Sequence, residues 1–223
     1  MASRLITIAP KGVRNNAEST RGCRRIARHG DVLGDEGEFT ERNSIRFKDM
    51  QPRILLVDGD ITQLDVDAIV TAANEALAGG HGVDGAVHRA AGPELFAECQ
   101  ALRYCDEGDA KITRGYNLLA RHVIHTVGPF WEGGEYGERE TLRSCYLRSL
   151  QLAIENDIQT LAFPCVATGA HDFPNELAYE IAFETVSGWL QCHDAPMTVT
   201  FCCFDEYDYR LYEQKLLRSS ADN

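Results

Sequence analysis

From residue 50 onward the apolar positions alternate between two rhythms. Short runs at Arg53–Val57, Ala68–Ala72, His122–Val127, Thr160–Val166 and Thr198–Phe204 are apolar through most of their length. Runs of that kind read as strands buried on both faces. Between them, Leu142, Cys145, Tyr146, Ser149, Leu150 and Ala153 step at helical spacing. So do Leu177, Ile181, Thr185 and Trp189, behind the start signal Pro174-Asn175. Leu211, Leu216 and Leu217 mark a last helix, and Asp84–Ala91 and Glu94–Arg103 read as two helices divided at Gly92-Pro93. This alternation predicts an α/β fold, a central sheet with helices on both faces. A ligand is then expected beyond the carboxyl ends of the strands. The chemically marked turns fall there: Asp60 after one strand, Asn74 after another, Ala167-Thr168-Gly169 after a third, Asp205 after a fourth.

Two of these turns are built for close approach by a ligand. Gly79-Gly80-His81-Gly82-Val83-Asp84 leads from Asn74 into a helix, and glycines let backbone N–H groups reach a ligand. The helix N-terminus beyond adds unpaired N–H donors and positive dipole, a ready anion site. Ala167-Thr168-Gly169-Ala170-His171-Asp172-Phe173-Pro174 forms a second loop of the same kind. Neither is a Walker sequence, and there is no G-x-G-x-x-G fingerprint. Two phosphate-friendly loops without a lysine point to a bound diphosphate nucleotide, not to phosphoryl transfer. Asp60 reads as a base-amine acceptor or a turn cap. Asn74 reads as a ligand for a sugar hydroxyl or water, or as a turn residue. Asp84 suits a general base and equally a helix N-cap. His81 reads as a solvent-facing loop residue, His88 as a packed helix residue one turn after Asp84, and His122 and His125 as structural.

Charge narrows the partners. The 223 residues carry a net charge of -12. Residues 1–30 hold seven Lys/Arg against the single acid Glu18, so they are +6 and the rest is -18. An acidic body argues against general nucleic-acid binding, and no apolar run approaches the ~20 residues of a membrane span. The Arg-rich start reads as a basic arm docked on that body, with an organellar transit segment as the alternative. Composition divides the chain into a basic extension with linker (1–50) and one domain (51–223), expected to be intracellular and monomeric. None of the eight cysteines forms a CxxC pair, and Cys and His do not cluster at zinc spacing along the chain. Buried, reduced thiols are expected, and no metal site.

Taken together, Gly59-Asp60-Ile61-Thr62, Val66-Asp67-Ala68-Ile69-Val70, Ala72-Ala73-Asn74 and Gly82–Pro93 (GVDGAVHRAAGP) resemble the signature of the macrodomain family, MacroD type. Ala110–Tyr116, Val123–Pro129 and Ala162-Phe163-Pro164 match as well, so the resemblance runs from about 51 to 218. It implies a three-layer α/β/α sandwich with a mixed central sheet, preceded here by the N-terminal extension. It implies binding of ADP-ribose, hydrolysis of the ester joining ADP-ribose to Asp/Glu side chains of mono-ADP-ribosylated proteins, and deacetylation of O-acetyl-ADP-ribose, without cofactor or metal. A reader module with little catalysis is the alternative. By the same resemblance Asp60 and Ile61 contact adenine, with Phe204 stacked on it. Asn74 and Asp84 serve the chemistry, and Gly82 and Val83 run along the phosphates and distal ribose. Thr168, Gly169, Ala170, His171 and Asp172 wrap the diphosphate. The chain departs from the pattern at Thr71 (usually Asn), His81 (usually Gly), Ala167 (usually Ser), His171 (usually Tyr) and Asp172 (usually Gly).

Overall fold

The computed structural model describes residues 5–8, 54–193 and 197–221. The linker over 31–50, the arginines of the extension and Cys23 lie outside the described residues. Seven strands form one sheet: β1 (Leu5–Ile8), β2 (Ile54–Asp58), β3 (Ala68–Ala72), β4 (Ala110–Arg114), β5 (His122–Thr126), β6 (Thr160–Phe163) and β7 (Thr198–Cys203). Their order is β1-β2-β7-β6-β3-β5-β4. The five inner strands are parallel, and β1 and β4 pair antiparallel at the two edges. The sheet is therefore mixed, and one of its strands comes from the N-terminal extension.

Side-chain alternation decides the layers. Leu56, Val70, Ile124, Phe163, Val199 and Phe201 point to one face, where they pack with α3 (Glu138–Glu155), α4 (Asn175–Cys192) and α5 (Glu206–Ala221). Their neighbours Val57, Ile69, Val123, Ala162 and Cys202 point to the other, against α1 (Gly82–Ala91) and α2 (Pro93–Leu102). A period of two along a strand gives each face its own apolar set, and both sets are buried. Three layers result. The expected strands are found within a few residues of their ends. The largest difference is β6, which stops at Phe163 because Pro164 has no N–H for the ladder. The half-polar edge strand Ala110–Arg114 was read as a motif and not as a strand. Among the described residues, no helix is long and apolar enough to cross a membrane.

Candidate functional site

β2, β7, β6 and β3 end side by side, and the segments that follow them enclose a cleft of about 810 Å³. Gly59, Asp60 and Ile61 come from the end of β2, and Ala72, Ala73 and Asn74 from that of β3. The 164–171 loop follows β6, and Phe204 and Asp205 follow β7. The start of α1 closes another wall with Gly79–Asp84.

The glycine loop is held from within. Asn74 Nδ2 donates to the Gly79 carbonyl at 2.7 Å, and Asn74 Oδ1 accepts from the Ala78 N–H at 3.1 Å. Gly79, Gly80 and Gly82 have φ of 73°, 149° and 60°, values that side chains avoid. The loop then crosses α1 so closely that a Cβ on Gly85 would sit 2.0 Å from the Gly80 carbonyl oxygen. The cap position is His81, whose side chain makes no capping hydrogen bond. The reading of Asp84 as N-cap is thus corrected: it is the third residue of the helix. The first-turn N–H groups of Gly82, Val83 and Asp84 keep no helical acceptor, and all three residues line the cleft.

Asp84 itself is 4% exposed. Its Oδ1 accepts from the Thr71 hydroxyl at 3.2 Å, and its Oδ2 has no partner. His88 Nε2, also buried and unpartnered, lies 3.8 Å from Asp84 Oδ1. Burial pushes the Asp84 carboxyl above the ordinary carboxylate value, while His88 and the Thr71 hydroxyl pull it down. A desolvated carboxylate with an unpaired oxygen, on a residue that lines the cleft, is a good proton acceptor.

Behind His88, chain segments far apart in sequence converge. Cys99 of α2 and His125 of β5 bring donor atoms within 4.8 Å of one another and of His88. Sequence spacing gave no hint of this. Burial raises the Cys99 thiol to about 12, with Asp84 and Glu98 adding to it. Burial, with His88 second, lowers His125 to about 3. Cys99 is therefore a thiol rather than a thiolate, and His125 Nε2 already meets the Thr113 hydroxyl at 2.9 Å. Cys99 and His125 are thus held in their uncharged forms by burial. His122, read as structural, bonds through Nδ1 to the Thr113 carbonyl at 3.3 Å. Of the described cysteines, Cys192 is exposed and Cys165 half-buried, and the others are buried.

The second loop bends through Ala167 (φ 67°) and Asp172 (φ 52°). Phe173 N–H donates to the Ala167 carbonyl at 3.1 Å and Asp172 N–H to that of Gly169 at 3.0 Å. The N–H groups of Thr168, Gly169, Ala170 and His171 have no acceptor among the described residues, and these residues line the cleft. His171 Nδ1 bonds to the Gly128 carbonyl at 2.9 Å, and its ring stacks on Phe130. Asp172, expected among the ligand-binding residues, is exposed and is not among the residues that line the cleft. Its left-handed backbone, tolerable for Asp, turns the side chain outward.

At the other end, Asp60 Oδ1 accepts from the Thr62 N–H and hydroxyl at 2.9 and 2.8 Å, capping a 3₁₀ turn over Ile61–Gln63. The carboxylate stays exposed along the cleft beside buried Ile61 and 85%-exposed Phe204. The lining also includes Ala86, Arg89, Gly128, Cys165, Cys202, Asp205 and Asp208. Of these, Asp205 follows the last strand, and Ala86, Arg89 and Gly128 lie within the family motifs. Asp208, buried in the first turn of α5, accepts from Asn175 Nδ2 at 2.6 Å, and burial raises its carboxyl above the usual range. With four carboxylates and one guanidinium on the walls, an anionic ligand must rely on the N–H groups.

The family model described as "Macro domain" matches residues 70–182. The O-acetyl-ADP-ribose deacetylase of Escherichia fergusonii is 51% identical over 177 residues, 78% of this chain and 99% of that protein. The human ADP-ribose glycohydrolase MACROD2 is 49% identical over 189 residues, 84% of this chain, and the chain spans 44% of its length. The structure of the Trypanosoma brucei macrodomain in complex with ADP-ribose superposes with a TM-score of 0.71 at 40% identity, covering 75% of this chain and 70% of that one.

Proposed function

The chain belongs to the macrodomain family, and on that footing we propose that its cleft binds ADP-ribose and that it is a hydrolase of ADP-ribose esters. Its substrates are mono-ADP-ribosyl groups on Asp or Glu side chains of proteins, and O-acetyl-ADP-ribose. The observation that carries the reading is Asp84: a buried carboxylate with an unpartnered oxygen, set in a cleft lined by unused N–H donors. The N–H groups of Gly82–Asp84 and Thr168–His171 face the diphosphate. Asp84 Oδ2 takes a proton from the attacking water, and the α1 N-terminus steadies the negative charge that develops. Water adds to the acyl carbon of the ester, the bond between that carbon and the ribose oxygen breaks, and the ribose oxygen takes the proton back from Asp84, so that ADP-ribose leaves and a free carboxyl is left behind. His88, 3.8 Å from Asp84 Oδ1, is placed to share the proton.

One observation favours the reader alternative. Both ends of the Asn74 amide hold the glycine loop, so the amide shapes the site and is not free to order a substrate or a water for catalysis. The test is incubation with a glutamate-linked mono-ADP-ribosylated protein, chelator present, with released ADP-ribose as readout. Release that is lost in Asp84→Ala supports the hydrolase. Binding without release in the wild type leaves the reader.

A further inference from the structure

Two thiols meet in the wall of the cleft. Cys99, Cys105, Cys145 and Cys202 each have a ring nitrogen or a carbonyl oxygen within reach of the sulfur. The Cys165 thiol instead donates to Cys203 Sγ at 3.7 Å. Register explains the contact. β6 and β7 run parallel, and their last pair is Phe163 with Phe201. Two residues further along, Cys165 comes opposite Cys203. Neighbouring strands lie about 4.8 Å apart, inside the roughly 4.4–6.8 Å between Cα atoms that a disulfide bridges. Closing the bond takes the sulfurs from 3.7 Å to about 2.05 Å. Cys165 is half-buried and lines the cleft, which gives a small reagent access to it, whereas Cys203 is buried.

Both cysteines are tied to segments that shape the ligand site. The Cys165 carbonyl accepts from the Thr168 hydroxyl at 3.2 Å, where the run of unused N–H groups over 168–171 begins. The Cys203 carbonyl accepts from Gly59 N–H at 2.9 Å, beside Asp60, and Phe204 follows Cys203 directly. A bond between the two sulfurs draws these walls toward each other and off the geometry of the reduced cleft. We propose that Cys165 and Cys203 form a redox-modification site, at which a low-molecular-weight disulfide entering the cleft converts the two thiols to an internal disulfide that weakens ADP-ribose binding. The Cys165 thiolate attacks one sulfur of the reagent and expels one thiol. Cys203 then attacks the Cys165 sulfur of the mixed disulfide and expels the second. The pair gives up two electrons and two protons, and the reagent becomes two thiols. The hydrogen bond to Cys203, with burial second, holds the Cys165 thiol well above its usual range. Thiolate is therefore scarce, and the bond forms slowly near neutral pH and faster as pH rises. The effect on affinity rests on the reading of the cleft given above, whereas formation of the bond does not.

The test treats the full chain with oxidised glutathione at mildly alkaline pH, maps its disulfides by peptide mass, and measures ADP-ribose binding to the reduced and oxidised protein by calorimetry. A bond between Cys165 and Cys203 should form, reverse with dithiothreitol, and weaken ADP-ribose binding about 5- to 150-fold, the usual range of coupling between two sites. Coupling is reciprocal, so saturating ADP-ribose should lower the oxidised-to-reduced ratio at a fixed glutathione poise by the same factor. Cys165→Ala removes the attacked thiol, and the oxidant should leave its affinity at the variant's own reduced value. Cys203→Ala should stop at the mixed disulfide, with glutathione held on Cys165. Cys192→Ala, which removes the exposed thiol, should respond as wild type does. Glutathione retained on Cys165 in the wild type, a bond to any other cysteine, or an internal bond that leaves affinity unchanged overturns the proposal. So does a Cys165→Ala chain that still responds. A reduced wild type that binds no ADP-ribose overturns the reading of the cleft and the coupling with it, and the mapped bond is read independently of both.

Discussion

The hydroxyl of Thr71 donates to Asp84 Oδ1 across 3.2 Å, joining the end of β3 to the first turn of α1. Thr71 is 0% exposed and Asp84 4%, so water does not replace this donor. The family's usual asparagine has become a threonine here, and the hydroxyl supports the ionised form of the carboxylate against the burial that opposes it.

Thr71→Val removes that support with little change in shape. Ionised Asp84 is the active form, so activity fades as pH falls through its raised pKa. Losing the donor raises the pKa further, and the acidic limb of the rate profile should move to higher pH. A hydrogen bond to a charged group contributes about 1.5–3 kcal/mol, so the loss at acidic pH should be at least tenfold and should diminish toward alkaline pH. The profile of kcat/KM against pH checks this. A loss equal at every pH would make Thr71 a packing residue only.

Asp84→Asn should separate catalysis from stability. Removing a positioned base slows hydrolysis by roughly 10²–10⁴-fold. The folded pKa of Asp84 is raised, so the stability tied to it is present below the unfolded value of about 3.9 and lost as pH rises through the folded value. At neutral pH the buried charge therefore costs stability, and the amide does not. The variant should melt above wild type at pH 7, and the difference should vanish below about pH 4. Single-turnover rates and melting curves across pH give both readouts.

Gly85→Ala tests the loop geometry. The new Cβ would meet the Gly80 carbonyl at 2.0 Å, and backbone cannot step aside as a flexible side chain would. The glycine loop must shift, at a cost of about 1–3 kcal/mol in denaturant unfolding, and ADP-ribose affinity should fall at least tenfold. Gly188→Ala, in the middle of α4 where a Cβ meets nothing within 4 Å, should be neutral or slightly stabilising.

What the sequence made legible follows its periodicities. Five buried strands and the helices between them stand out because both strand faces are apolar and the helices step at 3.6 residues. The two ligand loops stand out because Gly79–Gly82 and Thr168–Gly169 sit between a strand and a helix. The i,i+4 spacing places His88 on the side of Asp84, and the 3.8 Å approach between them comes only with the side-chain rotamers. The rest depends on register. Thr71 reaches Asp84, and Cys99 and His125 reach His88, only because β3, β5, α1 and α2 pack as they do. β4 went unread because an edge strand shows one polar face. The outward turn of Asp172 is set by a single positive φ, which composition does not report.

His125 should dominate the acid sensitivity of the fold above pH 4. It is 0% exposed, its Nε2 meets the Thr113 hydroxyl, and its Nδ1 has no partner. Burial lowers its pKa from 6.5 to about 3. Between those values the unfolded chain binds a proton that the folded chain refuses, so stability falls as pH falls. The contribution is whole above about pH 6.5 and is lost progressively toward pH 3. One proton corresponds to a slope of about 1.4 kcal/mol per pH unit. Carboxylates held below their usual pKa, such as Asp67 and Asp109, lose their share only near pH 4 and below. Asp84 and Asp208, held above their usual pKa, contribute the opposite slope in both proteins, so the difference between wild type and a His125 variant from pH 6 to 4.5 isolates the histidine. His125→Gln keeps a donor for Thr113 and has nothing to titrate. Its unfolding free energy in urea should be lower than wild type at pH 7.5 through imperfect packing, yet flatter by about one proton's slope between pH 6 and 4.5. Parallel curves for the two proteins across that window would mean that His125 takes up its proton in the folded state.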